Sequence, residues 1–305
     1  MKITYFFNKL AIIILLLNNG YGIAQQKVPT KGSCKDRLSL YEKRLRNDQQ
    51  EALLQIKRAF NIPSKQWNEE MERIARTKLS IKNGSVLKRN DHNKRIPAYA
   101  VTLTKKLLLL NGINPETIEI TLLETPKSKK NYTSTTLARA TTRLRKIQEI
   151  AIIYDGQGKI KDKKVTNEYF KQDGPSKIMF NLTLFNGNYS QQEVSAIIAH
   201  EVTHIAEGHN IERILLLDLL QKNGYAKDAI ENTSAYKNYT VAQEICADLL
   251  FAIDDKPTAL NAYNFYKKQC ANNKKAHQQH DCHHPAPLAQ YNRLREILKL
   301  HQVTA

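Results

Sequence analysis

Between residues 35 and 82 apolar side chains recur at roughly helical intervals: Leu38, Leu40, Leu45, Leu53, Leu54, Ile56 and Phe60, then Met71, Ile74 and Ala75. That is the spacing of one helical face. Asn61-Ile62-Pro63-Ser64 interrupts the run, and proline cannot continue a helical ladder, so the pattern predicts two helices with Trp67 early in the second. A further helix is expected over 99–110, stopped at Asn111-Gly112, and a strand over 117–123. The polar, basic stretch 125–131 reads as an exposed loop. Beyond it the sequence suggests a helix over 137–147 and a strand over 150–154. The turn Asp155-Gly156-Gln157-Gly158 then leads into a charged segment, 159–164. Apolar and polar residues alternate towards the end of a strand over 177–184, which stops at Asn186-Gly187-Asn188.

The clearest helical signature follows. Ser190 and Glu193 fit a capping box, Val194, Ile198, Val202 and Ile205 form a buried stripe, and Gly208 supplies a stop. A very apolar helix over 211–220 ends near Asn223-Gly224, and another capped helix is expected over 240–248.

The ends and the composition change the picture in two ways. Met1, Lys2 and Lys9 precede an apolar run over 11–17, and Gly22 and Ala24 are small. This is the pattern of a secretory signal peptide cleaved near Ala24, with an apolar core shorter than the roughly 20 residues of a membrane span. The expected location is therefore periplasmic or secreted. Secondly, the formal charge is +18 from 47 basic and 29 acidic residues. The basic residues are interspersed with acidic ones, as in Lys43-Arg44-Leu45-Arg46-Asn47-Asp48, and no aromatic-interleaved nucleic-acid motif is present. Nucleic acid is not an expected partner; peripheral contact with an anionic envelope surface is. Cys34, Cys246, Cys270 and Cys282 allow three complete pairings, of which Cys270 with Cys282 closes a short loop around a His-rich stretch, while Cys246 reads as a buried thiol.

Chemistry is concentrated in His200-Glu201-Val202-Thr203-His204. On a helix the two histidines lie one turn apart and can converge on one cation, with Glu201 beside it to activate water. A hydrolytic zinc ion normally takes three protein ligands and leaves a fourth position for water. Within 240–248, Glu244 can supply the third, and Asp248, one turn on, can accept the outer N–H of a ligating histidine.

The ordered pair H-E-x-x-H and E-x-x-A-D, with His209 five residues after His204, resembles the gluzincin zinc metallopeptidases, the family of the CAAX prenyl protease, the heat-shock membrane proteases and their soluble periplasmic relatives. The resemblance covers roughly residues 115–300. It implies zinc endopeptidase activity on a protein or peptide substrate, with one zinc ion per chain. His200, His204 and Glu244 would be its ligands, Glu201 the general base and Asp248 the support of a ligating histidine. His209 is read as structural. A later His-Pro pair, His284-Pro285, and Arg293 on the following helix also resemble family features. His284 is thus a candidate catalytic residue that stabilises an oxyanion, with His283, Tyr291 and Arg293 as rivals. A histidine of the cluster His277, His280, His283 and His284 could fill the open metal position at rest. The family's Asn-Ala-Phe segment is not evident over 124–176. The strand ahead of the motif helix is either a sheet edge for an extended substrate or an ordinary core strand.

The expected fold class is α+β: a mainly helical zinc metalloprotease domain over 115–305, with a small sheet beside the motif helix. An N-terminal helical extension over 25–114 and the signal peptide over 1–24 precede it. The expected function is that of an exported zinc endopeptidase in envelope protein quality control; the alternative is a zinc-binding envelope interaction protein without proteolytic activity. Retention of Glu201 favours the first, since a structural zinc site needs no general base.

Overall fold

Pro63 separates α1 (Cys34–Ala59) from α2 (Ser64–Lys82), as the periodicity requires. The chain turns between them at Asn61, φ 48°, a left-handed conformation that asparagine tolerates better than most residues. This is a computed structural model, and it describes residues 34–82, 95–123, 137–155, 157, 159–272 and 287–302. The expected signal peptide, the loop over 125–131, Cys282 and the histidines at 277, 280, 283 and 284 lie outside the described residues.

Helix α3 (Ala98–Leu110) leads through a 3-10 turn, Pro115–Thr117, into β1 (Ile118–Leu122). The remaining strands are β2 (Ala138–Thr141), β3 (Leu144–Tyr154), β4 (Ile160–Gln172) and β5 (Ser176–Phe180). They form two separate sheets. One is a three-stranded sheet in the order β1-β5-β2, with β5 parallel to β1 and antiparallel to β2. The other is a two-stranded antiparallel ribbon of β3 and β4. A second 3-10 turn, Leu182–Phe185, then precedes the main helical part: α4 (Gln191–Glu207), α5 (His209–Lys222), α6 (Lys227–Asn232), α7 (Ser234–Asp254), α8 (Lys256–Asn272) and α9 (Pro287–Gln302). The result is the expected mainly helical α+β architecture with a small sheet beside α4.

Several local expectations change. Residues 137–147 are not a helix: Ala138 and Ala140 alternate as buried positions on β2, and pairing with β5 outweighs local helix propensity. The strand expected over 150–154 is the distal part of β3, and the charged segment 159–164 is strand as well. Neither face of β4 is buried over 160–164, so no period-two hydrophobic pattern announces that segment as a strand. The strand expected over 177–184 ends at Phe180, where Asn181 caps the 3-10 turn by accepting from the Thr183 amide. It is the central strand of its sheet, so the sheet-edge reading fails for it. Helix α7 begins six residues before Thr240, with Thr233 as its cap.

Packing explains why these elements hold together. Ile178 and Phe180 of β5, Ile120 of β1, Leu108 of α3 and Val194, Ile198 and Val202 of α4 share one core. Burying each such side chain contributes about 1.5–3 kcal/mol. A second core joins Ile56, Phe60 and Trp67 from the first two helices to Leu216, Leu219 and Leu220 of α5 and Tyr236 and Tyr239 of α7. A third joins Leu38 and Leu45 of α1 to Cys246 and Leu249 of α7 and Leu294 and Ile297 of α9. Among the described residues Cys246 and Cys270 are free thiols; the expected Cys270–Cys282 bridge is not supported. No helix among the described residues is long and apolar enough to cross a membrane.

Candidate metal centre

Helix α4 is fixed at both ends by its sequence. Ser190 Oγ accepts from the Glu193 amide at 3.2 Å and Glu193 Oε2 accepts from the Ser190 amide at 2.7 Å, completing the capping box. At the other end Gly208 adopts the left-handed conformation that stops the helix, φ 65°. Val194, Ile198 and Val202 anchor one face in the core, which leaves His200 and His204 one turn apart on another.

Helix α7 crosses α4 and brings Glu244 to both imidazoles. His200 Nε2 and His204 Nε2 are 3.0 Å apart, and Glu244 Oε2 is 3.2 Å from each. This is the one group among the described residues whose side chains could together hold a metal ion. Zinc with ligand bonds of about 2.0–2.2 Å in tetrahedral geometry separates its ligand atoms by about 3.3–3.6 Å. The triangle widens only by a few tenths of an ångström to accept it. Two imidazole nitrogens and one carboxylate oxygen are a donor set suited to zinc.

Each candidate ligand is held from behind. Asp248 Oδ1 lies 2.7 Å from His200 Nδ1. Its other oxygen accepts from the Tyr266 hydroxyl at 2.8 Å and from the Gln290 amide, and Arg293 donates to Gln290 Oε1 at 2.9 Å. His204 Nδ1 meets Nδ1 of the buried His209 at 2.9 Å, and His209 Nε2 in turn meets the Gln49 side chain of α1 at 3.2 Å. Glu244 Oε1 accepts from Arg213 Nη2 at 2.7 Å, which leaves Oε2 to face the histidines. With the outer nitrogens and the outer oxygen engaged, the inner three atoms are aimed at one point.

Without a metal, the electrostatics follow from the same contacts. Burial alone would lower the His200 imidazole, but the Asp248 carboxylate on one nitrogen and Glu244 on the other hold it well above its ordinary value. Burial would raise Glu244, yet His204 and His200 outweigh it and keep the carboxyl well below the usual range. Burial, reinforced by the charge of His204, pushes His209 well below its ordinary value, so it is neutral. The Tyr266 hydroxyl is pushed well above 10 by burial and then by Asp248, so it stays a donor.

Glu201 faces the free side of the three-stranded sheet. Its Oε2 accepts from the Ala140 amide at 2.5 Å, and the Ala140 carbonyl accepts from Asn210 Nδ2 at 3.0 Å. Leu137 O accepts from the Asn181 amide, inwards, so alternation turns the polar groups of Ala138 and Ala140 outwards. The strand edge beside the site is therefore β2 rather than β5.

The structure thus brings His200, Glu201, His204, Glu244 and Asp248 together. Tyr291 is engaged elsewhere, its hydroxyl 2.8 Å from that of Tyr263 with the rings stacked. Arg293 reaches the site only through Gln290 and Asp248. His283 and His284 lie outside the described residues. Arg213, Tyr266, Gln290, Asn210 and Gln49 were not singled out by their sequence context. Arg213 carried a usable signal, since a charged residue early in a strongly apolar helix calls for a partner.

A small sheet beside an H-E-x-x-H helix, with a glutamate from a second helix completing the triangle, resembles the arrangement of a gluzincin metallopeptidase domain. The model of peptidase family M48 matches residues 140–265. That segment carries all three candidate ligands and Glu201, so over these residues the chain is similar to the M48 peptidases; the match spans less than half of the chain. No curated protein and no solved structure matches the chain.

Proposed function

We propose that this chain is an exported zinc endopeptidase acting on proteins or peptides, in the periplasm or outside the cell, in envelope protein quality control. The observation that carries the reading is the convergence of His200, His204 and Glu244 on one point with Glu201 beside them. His200, His204 and Glu244 would hold the zinc. When bound, zinc supplies a Lewis acid that polarises a carbonyl and acidifies water. Glu201 takes the proton of the attacking water and passes it to the leaving amine. An extended peptide fits against the outer edge of β2, where backbone pairing gives affinity without side-chain selectivity.

The test is a comparison of purified protein with Glu201→Gln, zinc being quantified and an unfolded protein offered as substrate. The expected result is equal zinc in both and cleavage by the wild type alone. Zinc in both with cleavage by neither would replace this reading by that of a zinc-binding interaction protein without proteolytic activity.

A further inference from the structure

The ribbon of β3 and β4 is held at one end. Near its base Phe170 packs with Ile74, Ile211 and Leu215, and the Arg73 guanidinium lies 5.2 Å over the Phe170 ring. Lys146 pairs with Asp218 at 3.1 Å, and Glu168 pairs with Lys222. From Gln148 to Asn167 every described residue except Asp155 is exposed. Thirteen residues of strand reach about 40 Å, so the distal half stands clear of the packed cores.

That distal half is not polar. Directly opposed residues of an antiparallel pair share a face. The register sets Ile150 opposite Val165, Ile152 opposite Lys163, and Tyr154 opposite Ile160. Ile150, Ile152 and Tyr154 alternate along β3, so five large apolar side chains line one face, exposed by 51, 47, 44, 58 and 54% for Ile150, Val165, Ile152, Tyr154 and Ile160. A continuous exposed apolar strip of this kind marks an interaction surface.

Charge selects the occupant. Lys163 sits within the strip, and Lys159, Lys161 and Lys164 flank it. The core of a protein–protein interface is depleted in lysine, and a second copy would bring another +18 chain and set lysines near lysines. An anionic bilayer surface satisfies both features. Aliphatic side chains enter the boundary between headgroups and acyl chains, a tyrosine keeps its hydroxyl among the headgroups, and lysine stems lie along the apolar layer with their ammonium groups on lipid phosphates.

We propose that the distal half of the β3–β4 ribbon docks the protein peripherally on an anionic lipid surface through Ile150, Ile152, Tyr154, Ile160, Val165 and the surrounding lysines. The inference stands on the ribbon alone and does not depend on peptidase activity.

The test is co-sedimentation of the full chain with vesicles of phosphatidylcholine alone or mixed with phosphatidylglycerol. Binding is expected to the mixed vesicles only. Changing Ile152, Tyr154 and Ile160 together to serine keeps every lysine and should weaken binding at least about ten-fold, with circular dichroism and thermal melting unchanged. Lys161→Gln, Lys163→Gln and Lys164→Gln should each cost about five-fold at low salt. Ile152→Trp should shift its emission to the blue on mixed vesicles, against the constant signal of buried Trp67. Undiminished binding by the triple serine variant overturns the proposal in favour of nonspecific attraction by the basic surface. Equal binding to both vesicle types, or to neither, also overturns it. A dimer in analytical ultracentrifugation that the triple variant loses assigns the strip to a second copy instead.

Discussion

Nδ1 of His209 lies 2.9 Å from Nδ1 of His204, the two rings meeting edge to face across the helix stop at Gly208. A ligating His204 must present an unprotonated Nε2 and carry its proton on Nδ1, so His209 Nδ1 must accept that proton. His209 Nε2 then carries the N–H, and the Gln49 amide, whose nitrogen lies 3.2 Å from it, accepts only after turning its oxygen to that position. The spacing of five residues after His204 reads as merely structural because a continuous helix would carry position 209 away from 204. The turn at Gly208 brings it back.

His209→Phe keeps the ring's bulk and removes the acceptor. Zinc affinity should fall about 10–100-fold, measured by competition with a coloured chelator, with the circular dichroism spectrum unchanged. Unaltered affinity would show that His209 does not set the His204 tautomer.

Gly208→Ala tests the turn itself. A Cβ there would sit 2.8 Å from Lys78 Cγ, and φ is +65°. The left-handed backbone costs about 1–2 kcal/mol, and moving Lys78 also disturbs its ion pair with Glu212. Gly112→Ala is the control, since its φ is +70° and nothing lies within 4 Å of its Cβ. Urea unfolding should show a larger loss for position 208 than for 112. Equal losses would mean that Lys78 yields freely and only the backbone term matters.

Periodic patterns explain what was legible. The stripe Val194, Ile198, Val202, the cap at Ser190 and the break at Pro63 are local signals, and the helices follow them. His200 and His204 are neighbours by helical geometry alone, so two of the three corners of the metal triangle were written in five residues. Glu244 and Asp248 were readable as a pair one turn apart, but their contact with His200 joins two helices and appears only on packing. Of the β3–β4 ribbon only 150–154 was legible as a strand; β4 was not, because a two-stranded ribbon with both faces in solvent has no buried side to impose alternation. Residues 137–147 were misread because Leu, Ala and Arg suit a helix locally, whereas the free flank of β5 takes 138–141 as a strand and β4 takes 144–147.

Asp248→Asn probes the other histidine. The Asp248 carboxylate faces His200 Nδ1 with one oxygen and two donors, the Tyr266 hydroxyl and the Gln290 amide, with the other. An asparagine cannot accept at both positions, so one donor meets an amide NH2. Zinc affinity should fall about 10–100-fold. Tyr266→Phe removes one donor and leaves the acceptor for His200 intact, so isothermal titration should find it less costly. The reverse order would place the tautomer control elsewhere than Asp248.

Alkaline pH should weaken the fold through its buried tyrosines. Tyr236 is 5% exposed, and burial pushes its hydroxyl from 10 up to about 12. The folded state therefore keeps a proton that the unfolded chain has released between about pH 10 and pH 12. Stability from this source is fully present below pH 10 and is lost as pH rises through the folded value, by roughly 2–3 kcal/mol. Tyr41 is pushed up to about 12 in the same way, with burial again the main cause, so the two losses coincide. Tyr236→Phe keeps the ring packed against Tyr239 but has nothing to ionise. Urea midpoints across this pH range should fall less steeply for the variant than for the wild type. Parallel slopes would mean that the Tyr236 hydroxyl reaches water in the folded protein and that the core around α7 is looser than its packing implies.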